Sequence, residues 1–449
     1  MTYHRGQHSF EDLRARGALL VTNPAAQTTI TVDPVAGDDN NDGVTAPIKT
    51  IRALFERLPL RVNQGSSLWI NPANVGFHVL LKAGTHNFTQ GAGGTNYAII
   101  PPWVTFRGEY TELSTFTLDH YSGDGMHVWQ PAGNPAWTVD QWKGKFLEVP
   151  PANPATTIPT RYPILGNGTH DLIVGWSPTA AAGGFWGDYT PAAGVTMRIV
   201  EHGTLLTGYW YLIGGPFTFR DVELRAATPD TSTLYLFYPQ TYATFVSCKF
   251  FGASGWYPPS SSTVMCVYYG ATAQLSHCLL QQVYGGLYPY LWSKLILTDV
   301  SILESLRAVE GQQWIQVIIG GPIHARDAGD LFFMHQNADV LDQDSSFHFI
   351  NPMGGGWTGA VYEMIHPNGK YTARNNGRVV DGQNPGCIIN AGRNTKIVVP
   401  PGFVEVGGGG ATFKLSPPTG SVNLTMTDLV TLHGGYLNAG GGIEVRALV

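Results

Sequence analysis

The chain has 449 residues, a net charge of −6 and 13% charged side chains, about half the usual share. Lys and Arg form no cluster and the aromatics are not interleaved with basic residues, which excludes a nucleic-acid-binding surface. No run of about 18 apolar residues is present, which excludes a membrane-spanning helix.

The 55 glycines, with 12 Trp and 20 Tyr, imply many short strands and many turns. Residues 1–30 read as a separate N-terminal segment. Its basic residues are not followed by an apolar stretch, so no secretory signal is expected. Residues 9–17 predict a short helix, capped by Ser9 and ended by Gly17, and 22–30 a linker. Residues 31–60 hold an acidic turn, Gly37–Gly43, and then an apolar series at Ile48, Ile51, Leu54, Phe55 and Leu58. Spacings of three and four predict one face of a helix over 48–58, bounded by Pro47 and Pro59. Such a helix can cover the open end of a strand stack and keep its first rung from pairing with strangers.

From residue 61 to 400 the pattern is that of stacked rungs. Four segments share one phrase: apolar, two mostly polar residues, apolar, any, apolar. They begin at Phe219, Phe245, Leu275 and Leu297. A plain strand alternates with period two. Here one extra residue turns a corner while all three apolar side chains still point inward. The phrase places Val222, Cys248, Cys278 and Val300 in one interior column, and repeats at this spacing mark stacked architectures. The fold class is therefore all-β, a right-handed parallel β-helix with an N-terminal capping helix. Residues 401–449, with four consecutive glycines at 407–410, read as a small C-terminal β element suited to trimerisation. Cys248, Cys266, Cys278 and Cys387 match no metal-ligand spacing and read as free thiols without a disulfide.

The phrase GDDNNDGVTAPIKTI (37–51), the helix after it and the VTFRGE segment (104–109) resemble the start of pectate-lyase-like β-helix proteins. They are especially similar to the N-terminal part of bacteriophage tailspikes and tail-fibre appendages. The match covers residues 33–58 and extends to the later rungs in style. The resemblance implies a homotrimer that binds, and often cleaves, bacterial surface polysaccharide. It also implies a virion location, with the N-terminal segment contacting other virion proteins. Two departures leave activity open. The RxPxxR phrase of pectate lyases is missing, since Arg161-Tyr162-Pro163 lacks the second arginine. The NTD, GHG and RIK phrases of polygalacturonases are absent as well.

The candidate residues follow from chemistry. Glycosidic cleavage needs two carboxylates, and Glu310, Asp327 and Asp330 are the first candidates by proximity. Asp188, Asp299 and Glu304 are weaker ones. Aromatic loops can stack on sugar rings; Trp186, Tyr189, Trp256, Tyr257, Tyr290 and Trp292 lie beside Gly or Pro. Packing between trimer subunits is the competing use of those rings. Asp38, Asp39 and Asp42 form an oxygen-rich loop that lacks the distal Glu of a calcium site, so a solvated turn is expected and no metal or cofactor. His120 and His202 read as polar surface residues. The N-glycosylation patterns at Asn87, Asn167 and Asn423 read as coincidence. The expected function is recognition of host polysaccharide by a virion appendage, with depolymerisation open. The alternative is a non-enzymatic structural virion part.

Overall fold

The computed structural model describes residues 29–57, 78–88, 98–100, 104–121, 127–131, 133–150, 159–175, 192–226, 232–239, 241–252, 263–321, 323–328, 330–334, 339–342 and 347–350, then short strands between 362 and 447. Side chains are described as far as Leu341. The N-terminal segment, Cys387 and the loops holding Trp186, Asp188, Tyr189, Trp256 and Tyr257 lie outside the described residues.

The molecule is a parallel β-solenoid whose coils have three faces. Phe217–Arg220, Tyr242–Val246 and the first half of Thr272–Gln281 stack on the first face. Glu223–Arg225, Lys249–Phe251 and the second half of Thr272–Gln281 form the second. Leu234–Leu236, Met265–Tyr268 and Tyr284–Tyr290 form the third. Later coils keep this order. The described strands add to the stack as far as Glu444–Ala447, which pairs with Lys396–Val399. Phe403–Val404 and Lys414–Leu415 form a small antiparallel pair.

The corner between the first two faces explains the six-residue phrase. Asp221, Ser247, His277 and Asp299 occupy it with φ of 61°, 51°, 53° and 52°. One left-handed residue turns the chain without flipping the next side chain outward. Val222, Cys248, Cys278 and Val300 are consequently buried on successive coils, as expected. Polar residues tolerate this conformation better than β-branched ones. Inside, Phe106, Phe219 and Phe245 stack at 4.8 and 5.7 Å between centroids. The thiols of Cys248, Cys266 and Cys278 are free and buried.

The helix Ile51–Arg57 lies over the first coils. Phe55 meets Phe88, Phe106 and Trp210 at 5.5, 6.1 and 6.3 Å. The acidic turn before it is held by its own carboxylates. Asp42 accepts bonds from the amides of Val44 and Thr45, and Asp39 from those of Lys49 and Thr50. These amide donors hold the Asp42 carboxyl down at about 2.

One feature of the fold is not legible in the repeat pattern. Between Arg107 on the first face and Thr204 on the second, the chain leaves the coil and forms a curled antiparallel sheet. Tyr110–Thr117 pairs with Thr196–His202, which pairs with Phe146–Val149, and that with Thr160–Asn167. Asp171–Val174 and His127–Trp129 continue it. This insert has its own core around Phe116, Leu147, Tyr162, Leu172 and Met197. It leaves the coil at Gly108, where a Cβ would stand 2.2 Å from the Asp221 carbonyl oxygen, so only glycine fits.

Candidate functional site

The insert and the solenoid meet over the second face. Phe146, Leu165 and Val200 of the insert pack on Leu279 and Leu303, which point outward from that face yet are fully buried. Charged groups ring this apolar seam. Arg161 reaches Glu148 at 2.7 Å and the buried Asp221 at 3.2 Å, and Asp221 also meets Arg107 and Arg220. Burial outweighs these three guanidinium groups and holds the Asp221 carboxyl above its usual range. Lys143 bridges Glu304 and Asp327 at 2.6 and 3.0 Å. Arg326 grips Asp140 with two bonds of 2.9 Å, in space that a Cβ on Gly166 would fill. His202, expected at the surface, is instead lodged in this seam. Its Nε2 lies 2.8 Å from the Ser247 carbonyl oxygen and 3.0 Å from the Tyr110 hydroxyl, and burial lowers its pKa to about 3. His120 is exposed and stacks on Trp129 at 5.7 Å.

Beside the seam lies a cleft of about 600 Å³, lined in part by Arg107, Glu109, Glu112, Glu148 and Arg198. Its carboxylates are already engaged. Arg198 stands 3.5 Å from both Glu112 and Glu148, and Glu109 holds Lys82 at 2.7 Å. Cations between the acids make this a neutralised clamp.

The third face carries no insert over its described residues, and its outward side is aromatic. Tyr211, Tyr235 and Tyr288 follow one register column, with Cys266 between the last two and Glu310 after Tyr288. The Tyr211 and Tyr235 rings stack at 4.4 Å and an interplanar angle of 6°. The next column holds Phe237, Tyr268 and Tyr290, with Phe237 and Tyr268 5.3 Å apart and Tyr268 and Tyr290 5.5 Å apart. Burial in this packed layer raises the Tyr235 hydroxyl to about 12 and moves Tyr268 and Tyr288 the same way. These hydroxyls stay protonated and can donate hydrogen bonds.

At the corner after this face the rings project. Tyr238, Tyr269, Trp292 and Trp314 are 48%, 48%, 65% and 59% exposed on four successive coils. Their φ values are 71°, 52°, 58° and 59°. A bulky side chain in the left-handed region costs about 1–3 kcal/mol. Gly or Asn would fill these corners without that cost, so the rings are held there against the local preference of the backbone.

The sequence-derived residues separate on this frame. Tyr290 and Trp292 belong to the aromatic face and its corner. Glu310 lies on the same face, next in register to Tyr288 and 3.7 Å from Arg307. Asp327 sits on the opposite corner of the coil, clamped by Lys143 and Arg326. Asp330 begins Asp330–Met334, and its backbone pairs with Arg307. Asp299, beneath the insert, lies 3.2 Å from His277 and 3.7 Å from His324. Asn167 is buried, with its side-chain amide bonded to the carbonyls of Thr138 and Gly168. Sequence reasoning missed Tyr238, Tyr269 and Trp314. Their signal was an aromatic at the last position before each turn into the next coil.

Fold and surface together define a parallel β-solenoid with an antiparallel insert on one face and an aromatic ladder on another. No family model matches the chain, and no curated protein matches it. Among solved structures it is similar to the tailspike of Pseudomonas phage phi297, at 10% identity and a TM-score of 0.23, covering 74% of this chain and 71% of that one. It is similar to a glycoside hydrolase at 9% identity and a TM-score of 0.23, covering 77% and 96% of the two chains. A third is the tailspike of Acinetobacter baumannii bacteriophage AP22, solved in complex with a capsular saccharide, at 10% identity and a TM-score of 0.18, covering 74% and 70%.

Proposed function

We propose that the chain is a tailspike- or tail-fibre-like virion appendage whose third face binds a bacterial surface polysaccharide along the coil axis. The observation that carries this reading is the series of projecting rings at Tyr238, Tyr269, Trp292 and Trp314, each in strained backbone. Strain kept at successive positions points to a use outside the fold. Neighbouring coils are about 5 Å apart, comparable with the length of one pyranose residue. A ladder at that pitch suits a repeating polymer better than a compact metabolite. The rings offer apolar faces to sugar C–H groups, and the protonated tyrosine hydroxyls beside them donate to sugar oxygens. The rungs are rigid, so little order is lost on binding.

The same reading makes the chain a homotrimer attached through residues 1–30 to other virion proteins. The low charge content supports it, because few charged groups are available to solvate three flat faces. Cleavage is a separate step of the proposal. Glu310 borders the aromatic face, and a second carboxylate is needed beside it; Asp330, three positions before its register partner Phe333 on the next coil, is the candidate the sequence offers. The test is to incubate purified protein with host cells and with their isolated surface polysaccharide. Binding to both is expected. Binding to neither, with normal adsorption of virions lacking the chain, would replace this function with a structural one. Binding without release of shorter sugars would leave recognition standing and remove depolymerisation. A monomer by light scattering at micromolar concentration would remove the trimer.

A further inference from the structure

We infer that the insert carries a second, separate glycan site: a pocket for a neutral sugar residue between the edge strand Tyr110–Thr117 and the loop that precedes Phe146. The pocket has a volume of about 550 Å³. It contrasts chemically with the cleft on the other side of the insert. Among the described residues, no Asp, Glu, Lys or Arg lines it.

What does line it is the set of groups that sugars use. Thr115, Thr117 and Thr196 bring hydroxyls from paired strands, with Thr117 directly opposite Thr196. All three are exposed, Thr115 and Thr117 on the edge strand and Thr196 at the start of the strand beside it. Asn134 and Gln141 bring side-chain amides, while the buried Gln130 already donates its own to the Pro135 carbonyl. The Gln141 carbonyl accepts the Thr138 amide at 3.1 Å, which leaves its NH₂ group as a donor toward the pocket rim. Neutral donors and acceptors interleaved in this way match an uncharged polyol and discriminate against ions, which would find no counter-charge.

Two indoles supply the apolar wall. Trp137 packs edge-on against Phe116 at 5.4 Å and against Trp142 at 6.4 Å. Their positions are fixed from beneath. The Asn167 side chain accepts the Trp142 backbone amide at 2.7 Å and donates to the carbonyl of Thr138, so it brackets the whole Thr138–Trp142 turn. The Trp142 indole nitrogen is enclosed and has no hydrogen-bond acceptor among the described residues. That nitrogen presents no surface to the pocket, so the ring takes part through its apolar face alone. Pre-set rings with convergent neutral polar groups are the general form of a small-ligand site.

This inference rests on the reading that the chain engages glycans but uses none of the third-face residues, so the two can fail separately. Saturation-transfer NMR on the full chain with glucose, galactose and N-acetylglucosamine is the test. At least one neutral sugar should give a signal. In a Trp292→Ala/Trp314→Ala background, which removes the two most exposed rings of the ladder, Thr196→Trp, at an exposed strand position, should fill the pocket and abolish the remaining signal, and Gln141→Ala should weaken binding about fivefold, the loss of one neutral hydrogen bond. Val35→Ala, at an exposed turn residue outside both sites, should leave the signal intact. No signal with any of the three sugars overturns the proposal, as does a signal that only glucuronic acid produces. A signal lost in the Trp292→Ala/Trp314→Ala background and kept in Thr196→Trp alone assigns the sugar to the aromatic ladder and removes the insert site. Circular dichroism and thermal melting of both pocket variants should match the parent, so that loss of signal reports on the pocket.

Discussion

Replacing Trp292 and Trp314 together by Asn separates their use from their contribution to the fold. The two rings are 65% and 59% exposed. Taking a buried indole as about 200 Å², each substitution gives up on the order of 80 Å² of contact, or ~2 kcal/mol at about 25 cal/mol per Å². Both positions have left-handed backbone. Asn tolerates that conformation, and relief of the strain returns about 1–2 kcal/mol at each site. The terms nearly cancel, so the double variant should lie within about 1 kcal/mol of the parent per site. Urea unfolding followed by circular dichroism measures this. Binding should respond differently. Each stacked ring contributes about 0.5–1.5 kcal/mol, so losing two weakens binding by about 1–3 kcal/mol, roughly five- to 150-fold. Titration calorimetry with the isolated polysaccharide reads that change. Unchanged affinity would refute the reasoning. So would a lower oligomer mass with binding intact, which would assign the rings to contacts between subunits.

Other outcomes concern the seam and the core. Arg161→Leu leaves the buried Asp221 with Arg107 and Arg220, at 3.5 and 3.6 Å, and should cost about 3 kcal/mol in urea unfolding. Adding Asp221→Asn should recover part of the loss; no recovery would mean that the stranded charge is not its source. His202 is held near 3 in the fold against an ordinary value of 6.5. Its neutral form therefore contributes stability above pH 6.5 that is lost as the pH falls toward 3, by up to ~1.4 kcal/mol per pH unit. Thermal melts of His202→Gln should show a flatter acid limb, and an identical limb would contradict this assignment. Burial raises the Cys266 thiol to about 11 and moves Cys248 well upward. All three described thiols are also buried, so at pH 8 a thiol reagent should leave Cys248, Cys266 and Cys278 unmodified until urea unfolds the chain. Peptide mapping that finds prompt labelling would show that the coils open.

The parts legible in the sequence were those whose pattern is set within one coil. The phrase from Phe219 to Leu224 reads correctly because one left-handed residue, Asp221, sets where the next side chain points. The capping helix reads correctly over Ile51–Arg57, where Ile51, Leu54 and Phe55 fall on one face of a short element, whereas Ile48, read as its first apolar position, lies before it in a parallel bridge to Val32. The insert did not read, because an antiparallel strand and a solenoid strand alternate alike, and what separates them is the partner. Tyr110 meets His202 across 92 positions of chain, and no local pattern announces that pairing. The same distance hid the burial of His202. The aromatic corners were half legible. Tyr290 and Trp292 stood out near Pro289, but Trp314 lies between Gln313 and Ile315 and looks like an ordinary strand residue. Its exposure follows from the φ of 59°, which the sequence does not display.

The insert's two ends lie side by side. The Gly203 amide bonds to the Glu109 carbonyl at 2.7 Å, and Tyr110 pairs with His202. The coil therefore sees the excursion as a single corner, however long it becomes, and Thr204 still finds its partner Gly84 below. Residues 110–202 are thus set into the coil as one cassette. Replacing them by another segment whose ends lie equally close would leave the winding of the coils and the ladder on the third face unaltered. Only the seam, from Arg161 and Lys143 to Asp221, Glu304 and Arg326, would have to match the piece that docks on it.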